Sequence, residues 1–179
     1  VGNVARNVAA LGGQARLGAV VGQDAAGAEL SDLIAAEDRV EDVLFRPEGA
    51  ATIVKTRFVA AGQQLLRLDD EQPAAGGYGE KTVFKDAKAI LLSDYAKGVV
   101  DDALIAAALW AGREYGAPVI VDPKGRDFAR YGAVDLIKPN ASELAGVTGL
   151  PVETDAEVEA ALAALLAATT AKAVVVTRA

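Results

Sequence analysis

Short apolar runs, each feeding a helix-like segment, recur along this chain and leave few folds open to it. "ARLGAVVG" (15–22) leads into "DAAGAELSDLIAA" (24–36), "KAILLSDY" (88–95) into "DDALIAAALWAGREYG" (101–116), and "APVIVD" (117–122) into a short helical turn at "RDFARYG". "VDLIKPN" then precedes "ASELAGVTG", and the helix "DAEVEAALAALLAATT" precedes the buried-type strand "AVVVT". Strands made almost wholly of Val, Ile and Leu are what a parallel sheet covered on both faces requires. The expectation is an α/β fold with a doubly wound, mostly parallel sheet, whose ligands bind beyond the carboxyl ends of the strands. At its start, "VGNVARNVAALGG" reads as a helix with Val4, Val8 and Leu11 on one face and a Gly-Gly stop.

Residues 43–72 break the rhythm. Two runs, "TIVKTRFV" and "QLLRLD", are joined by "AAGQ", and both alternate apolar with polar residues. That period describes half-exposed antiparallel strands. Set into a parallel fold, the pair reads as a small lid carrying Lys55, Arg57 and Arg67. An edge hairpin whose charges only solvate one face explains the same pattern.

Composition removes several classes of function. The 179 residues are 52% hydrophobic and 24% charged, enough to bury a core as one domain or part of a larger one. A formal charge of -7 opposes binding to nucleic acid or an anionic membrane, because phosphate backbones reward positive charge. The absence of cysteine removes disulfides and thiolate metal sites, and the absence of histidine removes an imidazole base. "ALAALLAA" is too short to span a bilayer, and no leader is recognisable. The expected setting is cytoplasmic, with small-molecule ligands.

Polar groups cluster where the fold class expects a ligand. "VDPKG" places Asp122 and Lys124 at a strand end, though Pro123 and Gly125 are also ordinary turn residues. "KPNASEL" places Lys138, Asn140 and Glu143 at the next strand end; a turn with Ser142 as helix cap would account for Asn140 and Ser142 but gives Lys138 and Glu143 no role. "LSDYAKG" brings Asp94 and Lys97 to a third strand end. Asn3 is compatible with a helix cap, and the Ala-rich helix at 156–168 with packing alone.

Taken in order, "GNVARNVAALGG", "VVGQDAAG", "TIVKTR", "QQLLRLDDE", "LSDYAKG", "VIVDPKGRDFARYGAVDLIKPNASEL" and "VVVTRA" resemble the ribokinase-like (PfkB) carbohydrate kinases, and within them the heptose 7-phosphate kinases. The segment "KPN" with Glu143 marks the broad family, whereas "QQLLRLD", "SDYAKG" and "DPKGRDFARY" point to the heptose branch. The resemblance implies ATP-dependent phosphorylation of the anomeric hydroxyl of a heptose 7-phosphate, a reaction that depends on positioning and charge neutralisation. It assigns Glu143, with Asn140, to water-bound Mg²⁺, and Lys138, Lys124 and Asp122 to the triphosphate. Thr177 begins the nucleotide segment, while Asn3, Asp94 and Lys97 lie on the sugar side. Arg57 and Arg67 are candidates for the substrate's own phosphate, since guanidinium forks match phosphate oxygens. It further implies a homodimer through the lid, with a sugar phosphate and ATP as ligands.

Other elements of the family pattern lie outside these residues. The Gly-Ala-Gly-Asp segment, with its anion hole and catalytic base, is expected beyond Ala179, and the N-terminal strand with its sugar-binding Asp before Val1. Residues 1–179 are therefore expected to form a partial kinase domain, inactive alone. Three rivals stand beside this reading: another family kinase, for fructose or tagatose phosphates, in which the Lys138 of "IKPN" also occurs, or of ribose type; a Rossmann dinucleotide domain, disfavoured because no G-x-G-x-x-G follows a strand; and a non-catalytic binding fragment.

Overall fold

The computed structural model describes residues 2–72 and 81–178, so Val1 and Ala179 of the motifs quoted above lie outside the described residues. The chain forms two units, Val1–Ala75 and Gly76–Ala179.

The first unit opens with α1 (Gly2–Ala10), followed by β1 (Ala15–Val20), α2 (Ala25–Ala35) and β2 (Val40–Phe45). β1 and β2 pair in parallel from Ala15↔Val40 to Val20↔Phe45, with α2 as their crossover. Residues 43–45 thus belong to a parallel strand and not to the lid. "VEDVLF" mixes acidic and apolar residues, so its period hides a strand that is only half covered. The small core here is Ala5, Leu17 and Ile34, flanked by Ala15, Leu30, Val40 and Leu44. α1 packs through Ala5 and leaves Val4, Val8 and Leu11 largely outside, with Leu11 89% exposed. One residue of offset turns a helix by about 100°, and the alanine stripe is the one that allows close approach.

The lid strands are β3 (Val54–Ala60) and β4 (Gln63–Asp70), antiparallel and joined by the two-residue turn Ala61-Gly62. Both turn residues have positive φ, 49° and 77°, as a primed hairpin turn demands. Lys55 faces Asp69 and Arg57 faces Arg67 across the ladder, while Phe58 faces Leu66. Alternation therefore puts Lys55, Arg57, Arg67 and Asp69 on one side and Val54, Phe58, Leu66 and Leu68 on the other, where Asp70, opposite Val54, is the one charge.

The second unit holds a four-stranded parallel sheet in the order β5-β6-β7-β8: Ile90–Ser93, Val119–Asp122, Leu136–Ile137 and Ala173–Val174. Its helices are α3 (Asp102–Tyr115), α4 (Ala141–Thr148) and α5 (Asp155–Ala168). α3 is capped by Asp101 at its start and by left-handed Gly116 at its end, and it buries Leu104, Ile105, Ala107, Ala108 and Ala111. α5 begins in a Thr154/Glu157 capping box and buries Val158, Ala161 and Leu165, the packing role its composition suggests. One core unites Ile90, Leu92, Val119, Val121, Phe128, Tyr131, Ile137 and Leu144. Burying side chains of this size contributes about 1.5–3 kcal/mol each. The final strand is shorter and less covered than its Val run suggests. Val174 and Val176 pack on the core, but Val175 is half exposed, and pairing beyond Val174 continues only as a bridge from Asn140 to Thr177. The α/β architecture with a small antiparallel sheet is as expected.

Asp135 ties the lower edge of this sheet. Its carboxylate accepts from the Val119 amide at 2.8 Å and from Lys172 Nζ at 2.6 Å. The Lys172 hydrogen bond, then the Val119 amide, holds its pKa below the usual 3.8. A carboxyl that ionises more easily when folded contributes stability that is fully present above pH 3.8 and is lost as pH falls below it, through the lowered folded value. Asp135→Asn is expected to lower Tm at pH 7 and to flatten the fall in Tm between about pH 4 and pH 2. Thermal melts across that range check it; parallel curves for the two proteins would refute it.

Candidate active site

Three loops leave the carboxyl ends of β5, β6 and β7, and register brings them level. Ser93 pairs with Asp122, the Asp94 amide donates to the Asp122 carbonyl at 2.9 Å, and the Lys138 amide donates to the Val121 carbonyl at 2.8 Å. Neighbouring parallel strands thereby set Asp122 beside Lys138. Lys138 Nζ lies 3.1 Å from Asp122 Oδ1.

The second pair crosses from the β6 loop to α4. Lys124 Nζ donates to Glu143 Oε1 at 2.9 Å. This hydrogen bond and the Glu143 charge hold the lysine pKa above its usual value, so it stays cationic throughout the neutral range. Glu143 Oε2 accepts from the Asn140 amide at 3.0 Å, and Asn140 Oδ1 accepts from the Glu143 amide at 2.9 Å. These reciprocal bonds form a capping box, so the cap is Asn140 and not Ser142. Glu143 thus has a structural duty that "KPNASEL" alone did not disclose. Thr177 bridges to Asn140, and its carbonyl accepts from the Ala141 amide at 3.1 Å. The structure therefore gathers Asp122, Lys124, Lys138, Asn140, Glu143 and Thr177 around adjoining strand ends, with charges of opposite sign already paired.

Asp94 is placed differently from its neighbours. Its side chain is 3% exposed and turned inward, accepting from Tyr131 Oη at 2.9 Å and from the Ala96 amide at 2.7 Å, with Arg130 Nη1 at 3.4 Å. Lys97 follows it on the same loop and is half-buried. Arg130 and Tyr131 had no assigned role in the sequence. The only signal for them is their place in "DPKGRDFARY", where an aromatic beside a cation reads as ordinary packing.

Asn3, Arg57 and Arg67 stand in the first unit. Asn3 is exposed in the first turn of α1, inside the helix and not at its cap, and lines a surface depression with Arg6, Asn7 and Arg39. Arg67 Nε lies 2.9 Å from Asp69 Oδ1, and Lys55 pairs with Asp69 and Glu71. A knot in this unit was also missed as more than a motif. Asp24 caps α2 by accepting from the Gly27 amide and also accepts from Thr52, while Arg46 donates to the Gly22 and Gly27 carbonyls. A Cβ on Gly27 would stand 2.4 Å from the Gly22 carbonyl oxygen, so the knot closes only around glycine. Its bonds, Thr52 first, hold the Asp24 carboxyl below the usual range.

Similarity to known proteins agrees with this arrangement. The chain is 45% identical over 186 residues to the bifunctional protein HldE of Gluconacetobacter diazotrophicus, an alignment covering 99% of this chain and 38% of that protein. Phosphofructokinase-2 from Escherichia coli, solved in complex with fructose-6-phosphate, superposes with a TM-score of 0.71 at 25% identity over 98% of this chain and 60% of that one. Arabidopsis thaliana ribokinase complexed with ribose and ATP gives a TM-score of 0.73 at 21% identity, covering 98% and 59%, and speaks for the fold. The chain spans well under half the length of that HldE relative and about three-fifths of those kinases. The description "pfkB family carbohydrate kinase" matches residues 1–179 throughout. Strand-end lysines, a capped acidic loop and a matching fold along the whole chain come together in one conclusion: the chain belongs to the pfkB family of carbohydrate kinases.

Proposed function

We propose that this chain supplies the sugar and nucleotide walls of an ATP-dependent kinase. It phosphorylates the anomeric hydroxyl of D-glycero-β-D-manno-heptose 7-phosphate to the 1,7-bisphosphate, on the route to the ADP-heptose of lipopolysaccharide core. The observation that carries the kinase reading is the pair of strand-end contacts Lys124–Glu143 and Lys138–Asp122. Each couples a mobile cation to a carboxylate, the donor set that phosphates and a hydrated divalent ion require. Lys124 and Lys138 would hold phosphate oxygens, with Thr177 opening the nucleotide segment. Among the described residues no three His, Cys, Asp or Glu side chains are arranged to grip a metal directly. Asn140 and Glu143 instead suit a magnesium ion held through water, the mode this hard cation favours. Bound there, it would supply charge neutralisation to the transferring phosphoryl group.

Asn3, Asp94 and Lys97 are assigned to the sugar side, and Arg57 and Arg67 to its phosphate. The heptose assignment rests on the "QQLLRLD", "SDYAKG" and "DPKGRDFARY" segments, supported by the likeness to bifunctional HldE. A fructose-phosphate kinase is the second reading, favoured by Lys138 in "IKPN" and by the likeness to phosphofructokinase-2. Steady-state assays of the complete gene product decide between them. We expect kcat/KM on heptose 7-phosphate to exceed that on fructose 6-phosphate or ribose 5-phosphate by about 100-fold. Equal rates on fructose 6-phosphate would overturn the substrate, and no ATP consumption with any sugar would overturn the kinase. The setting is assigned as cytoplasmic, where ATP is at hand; no described helix is long and apolar enough to cross a membrane.

The apolar side of the lid supports a homodimer. Phe58 is 49% exposed, and Leu66 and Leu68 are each 58% exposed. Leu66→Asp is expected to turn a sedimenting dimer into a monomer, because a charge buried in such a face is costly. An unchanged sedimentation coefficient would remove the lid from the interface.

A further inference from the structure

A buried carboxylate needs donors, and those that Asp94 finds come from two directions. The Ala96 amide closes a tight turn on Oδ1 at 2.7 Å, with Ala96 itself at φ 54°, a conformation non-glycine residues adopt only when held. Tyr131 donates to Oδ2 at 2.9 Å, and Arg130 Nη1 stands 3.4 Å from the same oxygen. The tyrosine hydroxyl has one hydrogen, and it goes to Asp94. Its lone pair accepts from the Lys124 amide at 3.2 Å. Burial, and then the bond to Asp94, pushes the phenol pKa up, so it remains a donor at working pH. Arg130 Nη2 donates to the Val100 carbonyl and to Asp102, each at 3.1 Å, and its guanidinium lies 5.6 Å from the centre of the Tyr131 ring.

One short turn, residues 129–131, therefore holds three things at once: the loop 94–98, the start of α3, and the backbone of Lys124. Packing does not demand this. Phe128, equally buried beside it, fills the same core without a hydroxyl. What the Tyr131 hydroxyl adds is a polar link between the loop carrying Lys97 and the loop carrying Lys124.

We propose that Tyr131 and Arg130 are positioning residues for phosphoryl transfer: acting through Asp94 and the Lys124 backbone, they hold the sugar-side loop and the phosphate-side loop in one linked arrangement. This rests on the kinase reading above. Its consequence is specific. Loss of the link disturbs sugar and nucleotide binding together, although neither residue is among those assigned to either ligand.

Tyr131→Phe, made in the complete gene product, tests it. KM for ATP and KM for the sugar phosphate are both expected to rise about tenfold, with kcat lower by about 10- to 100-fold. Lys124→Ala should move chiefly the KM for ATP, and Lys97→Ala chiefly that for the sugar. The double variant Tyr131→Phe/Lys97→Ala should lose less than the product of the two single losses, because both act on one loop. A Tyr131→Phe protein with a lower Tm but both KM values unchanged overturns the proposal, as does a shift in only one of them. Should Tyr131→Phe fail to fold, Arg130→Lys, which keeps the charge but not the fork, is expected to move the same two KM values and is judged the same way. Failure of the kinase reading would look different, since the wild-type protein would then phosphorylate no sugar.

Discussion

Glu143→Gln in the complete gene product is expected to lower kcat about 100-fold and to raise the magnesium concentration needed for half-maximal rate, while Tm falls by no more than about 4 °C. The substitution separates the observed capping duty of this side chain from the metal duty proposed for it. As the third residue of α4, Glu143 accepts from the Asn140 amide in a capping box, and glutamine serves in that position as well as glutamate does. Its ion pair with Lys124 is lost, but the Lys124 side chain is 51% exposed, and pairs of that kind contribute about 1 kcal/mol or less. Stability therefore changes little. A hydrated divalent ion, by contrast, needs the carboxylate charge and gains nothing comparable from an amide. Glu143→Ala, which removes both duties, should lose a further ~1 kcal/mol of stability for the same loss of rate. An unchanged kcat with a normal magnesium response in Glu143→Gln would falsify the metal role and leave Glu143 a helix cap.

The legible parts of this molecule were those where one pattern served one purpose. Continuous apolar strands such as "VIVD" announced parallel pairing because their residues are buried or half-buried, whereas the alternating lid strands announced antiparallel pairing although every residue of both is exposed, so their period marks two unlike faces and not a covered one. β2 was not legible: half covered, with Glu41 and Asp42 in mid-strand, it has neither period, and only its pairing with β1 identifies it. α1 was legible as a helix but not as a face, because its buried stripe is alanine while its larger Val residues stay outside. At the site, charged residues at strand ends could be read individually, yet their pairing could not. That Lys138 meets Asp122 while Lys124 meets Glu143 follows from sheet register, a long-range property. Tyr131 shows the same limit more sharply, since its hydroxyl is bonded 37 residues away in the chain.

Arg67→Ala is expected to raise KM for a phosphorylated sugar by about 10- to 100-fold, with kcat within a few-fold of wild type, because a charge-assisted hydrogen bond to phosphate is worth roughly 1.5–3 kcal/mol. The lid carries an electrostatic cost of its own. Arg57 and Arg67 stand directly opposite each other in the β3–β4 register. Like charges so placed destabilise a ladder by some tenths of a kcal/mol up to about 1. Asp69 relieves part of this by pairing with Arg67 at 2.9 Å, but it also serves Lys55, and no acidic partner for Arg57 is found among the described residues. A hairpin selected for stability alone would place an acid or an apolar residue at one of the two positions. A dianionic phosphate between the guanidinium groups would reverse the sign of the interaction, and the proposed phosphate role would thereby give a physical reason to tolerate the pair. Two measurements on one variant follow. Thermal unfolding of Arg67→Ala should occur at the wild-type temperature or slightly above it, since the repulsion is gone, while sugar-phosphate binding weakens. The preference for a phosphorylated over an unphosphorylated sugar should shrink by the same factor as KM rises. If the lid charges only solvate an edge, KM and that preference will both stay where they are, and Arg57→Ala will behave identically.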